Sequence, residues 1–264
     1  MNLAQLNLDS ISRSNTIRWC CTLIKKIEDE EVNMITVRYA QDRGQANYGW
    51  LDTKYSFSFA DYYDPAHMGF SSLRVINDDL IYPGAGFDTH GHRDMEIITY
   101  ITDGSIEHKD SEGNVRVLPA GEFQLMSAGK GIYHSEYNAS QVDKLALLQI
   151  WIEPNEFGGT PGYQQKDFGH DQGITTIATP TGENGTLQIK QDAKLHQLIL
   201  EPGSTIDFDI ELGRNVYVHQ VTGTLLVDAT SLSPGDGAKV ENQDSLELKN
   251  SGDDTVTALI FDLP

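Results

Sequence analysis

Two histidines separated by a single residue, His90 and His92, stand in the stretch GFDTHGHRDMEIITY (86–100), with Asp94 and Glu96 following at the same parity. In an extended strand alternate side chains share a face. The two imidazoles then lie about 6 to 7 Å apart along the backbone and can converge on one cation. A second group follows in SAGKGIYHSEYN (127–138), where His134 and Glu136 again share a face. Two strands that each present two ligands to one interior suit a single divalent transition metal ion. Three imidazoles and a carboxylate accept Fe(II), Mn(II), Co(II), Ni(II), Cu(II) or Zn(II). Glu96 and Glu136 both have the parity to supply that carboxylate. A polar interior without a metal is the weaker reading, because three histidines and two carboxylates buried without a cation are costly.

The elements that must position these groups are short strands. From Met34 onward, segments such as TKYSFSFADYY, MEIITYI, EFQLMSA, LALLQIWIE, LHQLILE, NVYVHQVTG and TVTALIFDLP are punctuated by Gly, Pro, Asn and Asp. No long amphipathic helix is predicted after residue 34, and the pattern argues for antiparallel β-barrels or sandwiches. A weak internal repeat is visible: a hydrophobic strand, a Gly turn, further strands and a Pro-Gly element recur as LPAGEF and SPGDGA. One barrel unit used twice is therefore expected, with 34–158 as a metal-binding N-terminal domain and 159–264 as a C-terminal domain. The Gly-, Pro- and Thr-rich segment 154–186 joins them. Residues 1–33 read as an extension outside the fold, with a charged, helical stretch LIKKIEDEEV.

The other histidines carry less signal. His196 and His219 have no His-x-His companion, so the C-terminal barrel is expected to be metal-free and structural. His108, in SIEHKDSEGN, reads as a solvated turn residue, and His67, in YYDPAHMGF, has no assigned role. Phe57, Phe59 and Met126 have the apolar character to wall a substrate pocket, although ordinary core is the simpler reading of all three.

The formal net charge of −20 disfavours contact with nucleic acid phosphates and anionic lipid. Any protein partner is expected to be basic. No apolar run is long enough to span a membrane, and WCCTLI (19–24) is too short for a signal-peptide core, so a cytoplasmic location is expected. Adjacent Cys20 and Cys21 do not make a disulfide framework.

The spacings Gly84-x5-His90-x-His92-x3-Glu96 and Gly121-x7-Gly129-x-Gly131-x2-His134-x3-Asn138 resemble the two signature motifs of the cupin superfamily. Gly129 stands where the second motif usually has Pro, and Gly104 falls one residue late. Within cupins, GFDTHGHRDMEIITY, AGEFQLMSAGKGIYHSEYN, SFSFADYYDP and GFSSLRVINDD are similar to the pirin family, over nearly all of 34–264. That resemblance implies an all-β bicupin fold whose N-terminal barrel holds one metal, usually iron, through His90, His92, His134 and Glu136. It favours Glu136 over Glu96 as the carboxylate ligand and leaves Glu96 to orient an imidazole. It further implies a dioxygenase that cleaves a flavonol such as quercetin with O2, with Glu136 accepting the substrate hydroxyl proton. The alternative it carries is an iron-dependent, redox-sensing module that binds a protein partner without turnover. A monomer is the default for a chain that already contains two barrels.

Overall fold

The computed structural model describes residues 34–264; the 1–33 extension, with Cys20 and Cys21, lies outside the described residues. The first twelve strands are β1 (Met34–Arg38), β2 (Gly44–Asn47), β3 (Leu51–Tyr55), β4 (Leu73–Ile81), β5 (Gly86–His92), β6 (Glu96–Asp103), β7 (Ser105–Asp110), β8 (Val115–Pro119), β9 (Glu122–Ser127), β10 (Ile132–Asn138), β11 (Leu145–Ile152) and β12 (Gly162–Asp167). Ten more follow: β13 (Gly173–Thr179), β14 (Leu187–Gln188), β15 (Lys194–Leu200), β16 (Thr205–Asp209), β17 (Asn215–Thr222), β18 (Leu225–Val227), β19 (Thr230–Leu232), β20 (Gly237–Glu241), β21 (Ser245–Asn250) and β22 (Val256–Leu263). The chain is nearly all β, and its two halves are cupin-type. No helix among the described residues is long and apolar enough to cross a membrane.

Each half pairs a seven-stranded sheet with a four-stranded one. In the first half these run β12-β9-β6-β11-β4-β3-β2 and β5-β10-β7-β8; in the second, β1-β20-β17-β22-β15-β13-β14 and β16-β21-β18-β19. Strands of the four-stranded sheets such as β7 and β21 alternate. Ile106, His108 and Asp110 of β7 are buried while Glu107 and Lys109 are exposed, and β21 follows the same rule. The central strands of the seven-stranded sheets are buried on both faces, which explains continuous apolar runs such as LALLQIWI in β11.

The reason for the double burial is that the large sheets meet each other. One core cluster joins Ile76, Ile98 and Leu125 of the first half to Leu195, Tyr217 and Phe261 of the second. Tyr100 Oη, on this face, accepts a hydrogen bond from Gln197 Nε2 at 3.1 Å. The opposite faces look inward, and there the halves differ. The second half is filled by an aliphatic core that includes Val216, Val218 and Ile260 from one sheet and Leu225, Leu246 and Leu248 from the other. The first half leaves a cavity.

The sheets do not divide at residue 158. β1 pairs with β20 and so extends the second half's sheet, whereas β12, beyond the expected boundary, pairs with β9 of the first. Each exchanged strand covers an edge that would otherwise present unpaired N–H and C=O groups.

Candidate metal centre and its cavity

β5 and β10 pair antiparallel, and His134 stands directly opposite His90, with Ile132 opposite His92. The ring centroids lie 4.8 Å apart for His90 and His92, 4.4 Å for His90 and His134, and 4.9 Å for His92 and His134. One nitrogen from each of the three falls within 4.8 Å of the others. The β9–β10 turn delivers His134. Gly129 has φ +47°, and a Cβ there would lie 2.1 Å from the Gly159 carbonyl oxygen, so the position where the motif usually carries Pro needs glycine here.

The protonation of these rings suits ligation. His90 Nδ1–H donates to the Asp88 carbonyl at 2.8 Å, which leaves Nε2 as the free lone pair. His134 is 2% exposed, yet neither ring nitrogen has a hydrogen-bond partner. Burial pushes both His92 and His134 down to about 4, and neighbouring imidazoles add to the effect, while Glu136 opposes it. Both rings are neutral at pH 7. A buried imidazole with two idle nitrogens is costly, and a cation that accepts one lone pair removes part of that cost. The residues present therefore fit a divalent metal.

Glu136 sits one step aside. It groups with His134 and His108, and not with His90 and His92. A register shift between His134 and Glu136 places Phe87 rather than Asp88 opposite Glu136, and the same bulge brings Phe87 onto the cavity wall. The buried carboxylate accepts from Gln149 Nε2 at 2.8 Å and Gln124 Nε2 at 3.3 Å. Burial alone would raise its pKa; His108 is the largest influence that overcomes this, and the carboxyl is held at about 2.

His108 is the residue that sequence reasoning missed. The expected solvated turn residue is fully buried in β7, opposite Glu136 in the β7–β10 register. Its Nε2 lies 3.2 Å from Asp110 Oδ2 and its Nδ1 3.9 Å from Glu136 Oε1. Burial lowers its pKa, but the two carboxylates outweigh burial and raise it, as befits an imidazolium between two anions. The signal was the period-two set Ile106, His108, Asp110, which marks a buried strand face rather than a turn.

Glu96 also differs from expectation. It is buried, but it accepts from Ser127 Oγ at 2.8 Å and from the Lys190 backbone N–H at 3.2 Å, and it touches no imidazole. It ties β6 to the turn between β14 and β15. Phe57 packs against Tyr217 at 5.5 Å between the sheets, and Met126 lies in a small core cluster with Ile97 and Ile132. Phe59 alone of the three candidate wall residues lines the cavity, edge-on to Trp151 at 5.3 Å.

The cavity, about 460 Å³, runs between the two sheets of the first half. His90, His92 and His134 form part of one wall. Trp50, Phe87 and Trp151 add aromatic surface, with Trp50 edge-on to Phe87 at 5.1 Å and Trp151 edge-on to His92 at 4.9 Å. A flat aromatic molecule suits such walls.

Residues 36–152 match the family model described as Pirin, and 176–263 match that of the quercetinase C-terminal cupin domain. Quercetin 2,3-dioxygenase of Escherichia coli K12 is 46% identical over 231 residues, which is 88% of this chain and 99% of that protein. The chain belongs to the pirin family. Another pirin relative, the pirin-like protein YhaK of Escherichia coli K12, is 36% identical over 88% of this chain and 100% of its own length. Among solved pirin structures, YhhW of Escherichia coli in complex with nickel(II) superposes with a TM-score of 0.84 at 45% identity, covering 88% of this chain and 99% of that one.

Proposed function

We propose that this chain is a metal-dependent dioxygenase that cleaves flavonols such as quercetin, with one divalent ion, Fe(II) first among the candidates, held by His90, His92, His134 and Glu136. The observation that carries the reading is the convergence of three imidazoles on the wall of an aromatic-lined cavity. The 46% identical quercetin 2,3-dioxygenase and the nickel(II) complex of a close structural relative support it.

When bound, the ion supplies a Lewis-acid pull on the hydroxyl and keto oxygens of a flavonol and, for a redox-active metal, a route for electrons to dioxygen. The remaining work falls to the chain. Trp50, Phe87 and Trp151 hold the flat substrate and exclude water. Glu136 accepts the substrate hydroxyl proton at a carboxylate oxygen. Held at about 2, it is a weak base, so the transfer depends on a hydroxyl made acidic in the site. Gln124 and Gln149 fix the carboxylate's orientation, and His108 lies between it and Asp110.

The test is metal content and oxygen uptake with quercetin under air, on wild type and His92→Ala. One metal per chain in wild type, affinity lowered more than about 100-fold in His92→Ala, and parallel loss of uptake are expected. Metal-loaded wild type that consumes neither oxygen nor quercetin would refute the enzymatic reading.

A further inference from the structure

The cavity wall contributed by the seven-stranded sheet contains three buried oxygens that the chemistry above does not use. Thr53 Oγ1, Asn77 Oδ1 and Asp79 Oδ1 have no hydrogen-bond partner, and all three residues are less than 5% exposed. Thr53 stands directly opposite Asp79 across β3 and β4, and Asn77 precedes Asp79 by two residues on the same face. All three line the cavity, on the sheet facing the one that carries the histidines.

Their chemistry defines what they can take. Asn77 Oδ1 and Asp79 Oδ1 accept, while the Thr53 hydroxyl both accepts and donates, and leaving such groups buried with unused capacity is costly. Among the described residues no Lys or Arg lines this cavity, while Asp79, Asp88 and Glu136 do. An anionic ligand end is therefore repelled, and an uncharged donor is attracted. The aromatic walls beside these residues select a ring to carry that donor.

We infer that Thr53, Asn77 and Asp79 form a hydroxyl-binding subsite, which receives a phenolic O–H on a ring of the substrate remote from the group held at the histidine wall. This rests on the flavonol reading above and adds to it a reason for selecting polyhydroxylated over bare flavonols. Burial pushes the Asp79 carboxyl up to about 7; Asp78 and Glu136 add to the rise and the nearby Thr53 hydroxyl moderates it. Near neutrality Asp79 is thus partly a neutral carboxyl, able to accept from a phenol and to donate back to it.

The experiment compares quercetin with 3-hydroxyflavone, which shares the hydroxy-ketone but lacks hydroxyls on the other rings. Anaerobic binding to the metal-loaded full chain is read from quenching of tryptophan fluorescence, since Trp50 and Trp151 line the cavity. Asp79→Leu, and the shape-matched Thr53→Val as a milder second variant, are expected to weaken quercetin about tenfold and leave 3-hydroxyflavone within about twofold. Equal weakening of both ligands, or no effect on quercetin, overturns the subsite while the flavonol reading stands. Failure of wild type to bind either flavonol overturns both.

Discussion

At the scale of single residues, the first half of the molecule concentrates ionisable groups that water would otherwise solvate. Asp79 is the plainest case, its carboxyl raised from the usual 3.8 to about 7 by burial. Between those values the folded chain binds a proton that the unfolded chain has released, so wild type loses stability as pH rises through that window and no further above it. Asp79→Asn removes the titration. Its melting temperature relative to wild type is expected to climb from about pH 4 to pH 7 and level off beyond about pH 8; a difference constant with pH would contradict the assignment. His108 makes the opposite kind of contribution. Substituting Leu strands Asp110 and Glu136 as buried, unpaired carboxylates, and a loss of about 3 to 5 kcal/mol is expected from urea unfolding at pH 7. His90, His92 and His134 stand out from type and spacing, whereas Glu136 shares its parity with Glu96 and is preferred only through the family resemblance. The burial of His108 is legible in the alternation of Ile106, His108 and Asp110, but its role is not, because that depends on the cross-strand partner Glu136.

Among the elements, β5 and β10 carry the site, and their pairing is set by two irregularities rather than by regular ladder. The bulge between His134 and Glu136 re-aims Phe87 into the cavity, and the Gly129 turn fixes where β10 begins. Lys130 N–H donates to the Gly159 carbonyl at 2.7 Å, so the turn is also anchored to the connecting segment. Gly129→Ala sets a methyl against that carbonyl in a left-handed backbone. We expect a cost of about 1 to 3 kcal/mol in thermal unfolding and a weaker metal affinity, because His134 moves with the turn. Unchanged metal affinity in a destabilised variant would show that the turn does not position the imidazole. The short apolar runs MEIITYI and LALLQIWI announced strands, but a bulge has no local signature and was not legible.

For the whole molecule, the back-to-back large sheets and the exchange of β1 and β12 make the two halves one cooperative body. A single calorimetric transition is expected, with van't Hoff and calorimetric enthalpies in agreement. Phe57→Ala opens the shared core beside Tyr217 and is expected to lower stability by about 3 to 5 kcal/mol while keeping one transition. Two resolved transitions would mean that the halves unfold separately. The interior of the second half is aliphatic: Val216, Val218 and Ile260 meet Leu225, Leu246 and Leu248 where the first half holds histidines. His219 does not share that interior, since Tyr217 and Phe261, which face the other large sheet, mark its side of β17.

What the sequence determined was everything set by local period and residue type. Short alternating runs bounded by Gly and Pro made the chain all-β and twofold, and His-x-His followed by His-x-Glu placed a polar, metal-suited face inside the first half. Register, strand exchange and the fate of individual polar groups were decided in three dimensions. Glu96 and Glu136 have equal parity, and only the fold shows Glu96 bonded to Ser127 and the Lys190 amide while Glu136 faces His108. Thr53, Asn77 and Asp79 are brought together only by the fold, where the β3–β4 register sets Thr53 opposite Asp79 and all three residues line the cavity. Those outcomes depend on contacts between residues far apart in the chain, and no local pattern encodes which pairs will meet.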